Sequence, residues 1–268
     1  MNLDNLKSQI GNDLKLIREK KPLVHSITNY VVMNSTANAL LSIGASPIMA
    51  HAQEEVEELV SFSAALVLNI GTLENYWIES MLIAGKMANS INIPVILDPV
   101  GSGATKLRTE SSKRILNNID VAVIRGNASE VLSLAKEGSK TKGVDSIHSV
   151  DDAAEAGKIL AKEWNTVIAI TGAVDMVTDG ETVYRISNGH PLMGMVTGTG
   201  CTATVIAASF AAVNNNYLEA AAGGLVMFGL AGEKASEDTN LPGTYGIKLI
   251  DHLNSITVEE LVKNAKIE

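Results

Sequence analysis

One cysteine, Cys201, occurs in 268 residues. The chain cannot close an internal disulfide, and a reducing compartment is its expected setting. Positive charge is also scarce: 21 lysines and arginines against 30 aspartates and glutamates leave a net charge of −9. The basic residues are scattered, which argues against bulk attraction to nucleic acid or to an anionic membrane surface. No apolar run is long enough to span a bilayer. The N-terminal stretch MNLDNLKSQIGNDLKLIREKK lacks the unbroken apolar centre of a secretion signal. The expectation is a cytoplasmic protein whose partners include neither nucleic acid nor membrane.

What is present is apolar: 46% of the residues are hydrophobic, enough for a sizeable core and too many for disorder. Leu3, Leu6, Ile10, Leu14 and Ile17 recur at the spacing of an amphipathic helix. Continuous apolar runs predict strands at Pro47–Ala50, Ala65–Ile70, Val95–Asp98, Val121–Arg125 and Val167–Thr171. Such runs suit strands buried on both faces. Helical patterns lie between them, over 34–43, 53–62, 74–90, 109–117, 127–136 and 150–163. A hairpin is expected at 174–179 and 182–186 around Asp179-Gly180, a favoured turn pair. The polar stretch 137–146 reads as a surface loop, and 201–266 as largely helical. This alternation predicts an α/β fold with a mostly parallel sheet and helices on both faces. No linker or internal repeat interrupts it, so 1–268 reads as a single domain. The Ala-Ala-Ala-Gly-Gly face within Tyr217–Ser236 suits close internal packing and a subunit contact equally.

Ligands of such sheets bind beyond the carboxyl ends of the strands, and polar residues gather there. DPVGSGA, 98–104, puts Asp98 at the end of a strand; it is a plain turn aspartate or a carboxylate for a hard cation such as Mg²⁺. RGNASE, 125–130, offers a capping box between Asn127 and Glu130. Arg125 ends a buried run, needs an anionic partner, and suits phosphate. Thr171-Gly172 is a turn, or a hydroxyl and amide open to a phosphate. The strongest signal is Gly198-Thr199-Gly200-Cys201. Free amides at a helix start bind anions, and the same setting is expected to lower the pKa of the Cys201 thiol. Neither a P-loop nor a dinucleotide fingerprint is present.

Together these residues resemble the ribokinase-like superfamily. Asn127-Ala-Ser-Glu130 matches its Asn-x-x-Glu motif. Gly198-Thr-Gly-Cys201 stands where that superfamily usually has Gly-x-Gly-Asp. Cysteine in the aspartate position is similar to the hydroxyethylthiazole kinases. The segments 25–58, 98–104, 124–130 and 171–175 resemble that family in order and spacing, over about residues 20–250. Ser26 stands where many relatives have a second cysteine, and Ala173 where many have glutamate.

The resemblance implies a three-layer ribokinase-like sandwich that phosphorylates 4-methyl-5-(2-hydroxyethyl)thiazole with ATP in thiamine salvage. It implies Met49, Gly198 and Asn29 as thiazole contacts, and Arg125 and Thr171 as ATP contacts. Asp98 and Glu130 would serve Mg²⁺, Gly198 and Gly200 the anion hole, and Cys201 the substrate alcohol. It also implies a homotrimer. Met49 reads equally well as core filling, and His25 and His51 as structural or surface residues. Two other readings stand beside this one: a kinase for a hydroxymethylpyrimidine or small sugar, and a non-catalytic sensor of ATP or thiazole.

Overall fold

The computed structural model describes residues 3–135 and 150–268. The loop expected over 137–146 and the last residue of the helix expected over 127–136 lie outside the described residues. The chain opens with helix α1, Leu3–Lys20, which buries Leu6, Ile10, Leu14 and Ile17 as its periodicity requires. There follow β1 (Leu23–Ile27), α2 (Met33–Ile43), β2 (Ser46–Ile48), α3 (Val56–Ser61), β3 (Ala65–Asn69), α4 (Asn75–Ser90), β4 (Val95–Asp98) and α5 (Lys106–Leu116). Next come β5 (Val123–Asn127), α6 (Ala128–Leu132), α7 (Val150–Trp164), β6 (Val167–Thr171), β7 (Asp175–Thr178) and β8 (Val183–Ile186). A 3₁₀ turn at Pro191–Met195 precedes α8 (Thr199–Ala211), α9 (Tyr217–Asp238), α10 (Pro242–Ser255) and α11 (Val258–Asn264).

The strands form one sheet in the order β2-β1-β3-β4-β5-β6-β7-β8. Pairing is parallel from β2 to β6 and antiparallel from β6 to β8. β1 is absent from the expectations because His25 and Ser26 interrupt its apolar run. Both are buried nevertheless, and the His25 Nε2 contacts the Ala50 carbonyl at 2.8 Å, tying β1 to the segment after β2. The expected hairpin forms as β7 and β8. At its turn Asp179 Oδ1 accepts from the amides of Glu181 and Thr182 at 2.9 and 2.8 Å, and Gly180 takes φ +98°.

Each face of the sheet carries its own core. One is built with α1, α2, α8 and α9, the other with α3, α4, α5 and α7. Helices on both faces of a mostly parallel sheet give three layers. α8 is buried at every residue from Thr202 to Ala211. Its neighbour α9 approaches so closely that a Cβ on Gly224 would lie 2.5 Å from the Ala207 Cα. Ala220 to Gly224 are all buried, so this small-residue face serves internal packing.

Candidate active site

Side chains alternate across a strand, and this decides which polar strand ends can meet. Val67, Ile96, Val123 and Ala169 lie in the core shared with α8, while Leu68, Leu97, Ile124 and Ile170 lie in the other. Two residues further along their strands, Asn69, Asp98, Arg125 and Thr171 fall on the α8 face. Four strand ends thus converge under the start of one buried helix.

Asp98 is fully buried. Its Oδ2 accepts from Asn69 Nδ2 at 2.8 Å and from Thr204 Oγ1 of α8 at 2.9 Å. Its Oδ1 lies 3.8 Å from Arg125 Nη1 and has no donor at hydrogen-bonding geometry. Burial pushes the carboxyl above the usual range, against the pull of Arg125 and Thr204; the Glu130 charge adds to the rise. Asp98 is thus the anionic neighbour that Arg125 requires. Arg125 is itself buried and donates through Nη2 to the Thr171 hydroxyl. A Cβ on Gly200 would stand 2.7 Å from Nη1. Arg125 is therefore fixed between a carboxylate, a hydroxyl and the first turn of α8.

Gly198 caps that turn with φ +83°, and a Cβ there would meet Val32 Cγ1 at 2.6 Å. Cys201 follows three residues later. Asn29 Nδ2 lies 3.8 Å from its Sγ and also donates to Asn69 Oδ1 at 2.8 Å. A continuous polar chain, Asn29–Asn69–Asp98–Thr204, thereby passes the cysteine. The expected lowering of the thiol pKa is overturned. Burial pushes Cys201 up to about 12, and the Asp98 charge pushes in the same direction. Desolvation and a neighbouring carboxylate outweigh the helix start.

Glu130 forms the capping box with Asn127: its Oε2 accepts from the Asn127 amide at 2.8 Å, and Asn127 Oδ1 accepts from the Glu130 amide at 2.9 Å. Its Oε1 accepts from the Gly101 amide at 2.8 Å, so the loop after β4 is tied to the first turn of α6. Met49 follows β2 and is half-buried against the α8-side core. His51 stacks on Trp77 with ring centroids 4.4 Å apart.

Arg125, Thr171 and Gly200 line one end of a cavity of about 500 Å³ that runs past Asp175 and Pro191 to Leu225 and Phe228. Asp98, Glu130, Cys201, Asn29 and Met49 are outside its lining. Asp175 Oδ1 accepts from the Gly172 amide at 2.9 Å; burial pushes this carboxyl up to about 6, against the pull of Gly172 and Arg125. Among the described residues no three His, Cys, Asp or Glu side chains converge as a metal site. The donor-free Oδ1 of Asp98, near Glu130, fits instead a hard cation that takes its other ligands from phosphates and water.

Sequence reasoning did not single out Asn69 or Thr204. Asn69 carried a usable signal, since it ends the apolar run ALVLN just as Asp98 ends VILD.

A sheet of this order, with its polar strand ends gathered below an amide-rich helix start, is the architecture of the ribokinase-like small-molecule kinases. Pyridoxal kinase from Staphylococcus aureus in complex with AMP-PCP has the same fold, with a TM-score of 0.60 at 16% identity over 80% of this chain and 88% of that one. The particular family is narrower. The model of the HK: Hydroxyethylthiazole kinase family matches residues 14–259, and the chain belongs to that family. It is 54% identical to the hydroxyethylthiazole kinase of Desulfotalea psychrophila over 99% of this chain and 97% of that protein. Against its counterpart in Thermoanaerobacter sp. (strain X514) it is 52% identical, with 95% and 98% covered. The structure of hydroxyethylthiazole kinase protein from Pyrococcus horikoshii OT3 superposes with a TM-score of 0.90 at 45% identity, covering 97% of this chain and 98% of that one.

Proposed function

We propose that the chain, acting as one kinase domain over residues 1–268, transfers the γ-phosphoryl group of ATP to the primary alcohol of 4-methyl-5-(2-hydroxyethyl)thiazole, a step of thiamine salvage. The observation that carries this reading is the fixed Arg125, held by Asp98 and Thr171 against Gly200 in the lining of the cavity. Phosphoryl transfer passes through a loose transition state with charge spread over the equatorial oxygens, so positioning and electrostatics carry most of the catalysis. Arg125 and Thr171 hold the ATP phosphates. The amides of Gly198 to Cys201, including the anion-hole glycines Gly198 and Gly200, face the transferring group. Asp98 and Glu130 would hold Mg²⁺, which neutralises phosphate charge when bound. Met49, Gly198 and Asn29 close on the neutral thiazole, and Cys201 lies beside its alcohol. The oxygen–γ-phosphorus bond forms as the β,γ-bridge breaks, ADP leaves, and the alcohol proton passes to water.

A thiol with a pKa near 12 is not a strong base at neutral pH, and a loose transition state does not demand one. Cys201→Ala should cost about tenfold in kcat, below the ~10²–10⁴ of a full general base. Cys201→Asp should retain turnover or raise it. Steady-state kinetics with the thiazole alcohol decide this, and complete loss in the alanine variant with substrate binding intact would give the thiol a central role.

The chain is proposed to work as a cytoplasmic homotrimer. Apolar side chains are exposed on two helices that pack together and at the start of one of them: Leu41 on α2, Leu241 before α10 and Ile247 on α10. No described helix is long and apolar enough to cross a membrane. ATP consumption measured in parallel with thiazole alcohol, hydroxymethylpyrimidine and ribose tests the activity. Turnover with the thiazole alone is expected. Preference for either other alcohol would move the assignment to a neighbouring kinase, and binding without consumption would make the chain a sensor.

A further inference from the structure

Arg108 has no part in the reaction described above, yet it reaches the same end of the sheet. It sits in the first turn of α5, where the helix dipole disfavours a cation. Its side-chain hydrogen bonds go to carbonyls: Nη1 donates to Val100 O at 2.6 Å and reaches Ile70 O at 3.5 Å. The side chain lies across Gly101, where φ is +71° and a Cβ would meet Cδ, Nε and Nη1 at 3.0 to 3.3 Å.

Both carbonyls belong to the backbone that frames the acidic pair. The Ile70 amide donates to the Asp98 carbonyl at 3.3 Å, and the Val100 amide donates to that same carbonyl at 2.9 Å. Gly101, under the guanidinium, donates its amide to Glu130 Oε1. One arginine therefore spans the ends of β3 and β4 and presses on the residue that orients Glu130. Thr109, the next residue of α5, holds the far side of the loop by accepting from the Gly103 amide at 2.8 Å.

We propose that Arg108 is a positioning residue that fixes the 98–104 loop so that Asp98 and Glu130 present their carboxylates together to a divalent cation. This rests on the metal role given to those two acids above. Groups that orient ligands from behind typically change metal affinity by ~10–100-fold when removed.

The test is calorimetric titration of ADP into the full-length protein over a series of Mg²⁺ concentrations, with no turnover involved. Arg108→Gln should raise the Mg²⁺ concentration for half-maximal tightening of ADP by about tenfold, while ADP affinity without metal stays within twofold. Arg108→Lys keeps a charge and a donor on a shorter arm; it should shift the midpoint by about threefold, and serves if the glutamine variant does not fold. An unchanged or lower midpoint in both variants would overturn the proposal. So would an equal loss of metal-free ADP affinity, which would make Arg108 a direct phosphate ligand. Glu130→Gln separates the two levels of inference. If it leaves the midpoint unmoved, the metal role of the pair fails; if it raises the midpoint and both Arg108 variants do not, only the role of Arg108 fails.

Discussion

Asp98→Asn should lower kcat about a thousandfold, at the upper end of what one electrostatic group contributes, while the protein still folds. Asp98 lies at the junction of the site: Asn69 and Thr204 donate to one oxygen, and the other faces Arg125. Asparagine keeps the shape and one acceptor, so the polar chain survives in part. It removes the charge that orients Arg125 and the oxygen proposed for Mg²⁺. Alanine is the poorer variant, because stripping the partner from a buried charge typically destabilises by ~3–5 kcal/mol and confounds folding with chemistry. Circular dichroism melting beside steady-state kinetics separates the two effects. A folded asparagine variant within tenfold of the natural kcat would remove Asp98 from the chemistry.

Gly200→Ala should lower kcat/KM for ATP about a hundredfold, as expected when a phosphate-facing donor is displaced. The added Cβ would lie 2.7 Å from Arg125 Nη1 and 3.0 Å from Nη2. An arginine tip usually swings aside at little cost. Here the tip is buried, bonded to Thr171 and opposed by Asp98, so it cannot yield without breaking one of those contacts. Alanine is the better helix former by ~1 kcal/mol, but that is less than the cost of breaking a buried charged contact, so the melting temperature should fall. Nucleotide titration and thermal melting together check the pair of outcomes. Unchanged ATP kinetics would show that the guanidinium is free to move.

The sheet was largely legible because strands buried on both faces are written as uninterrupted apolar runs. β3, β4 and β6 match theirs closely. β5 runs two residues later than expected, since Gly126 and Asn127 pair with β6 despite their turn-like chemistry. β1 escaped notice because a satisfied histidine can replace an apolar residue in a core. Arg125 and Gly200 were legible because a guanidinium ending a buried run needs an anionic partner and free amides at a helix start bind anions; Thr171-Gly172 was a weaker signal, since a turn explains it equally. The thiol was misjudged for a reason of distance in sequence. Its pKa is raised first by burial and then by the charge of Asp98, 103 residues upstream by the difference of their numbers, and only the fold supplies both.

α8 has no wet side between Thr202 and Ala211, and Gly224 lets α9 close on it at backbone contact. The amides at its first turn are therefore held by a helix that cannot fray without opening the core. The entropy of ordering them is lost when the chain folds, not when a ligand arrives. A phosphate meeting Gly198 to Cys201 thus finds its donors already aligned, and its affinity is not discounted by the stiffening of a loop.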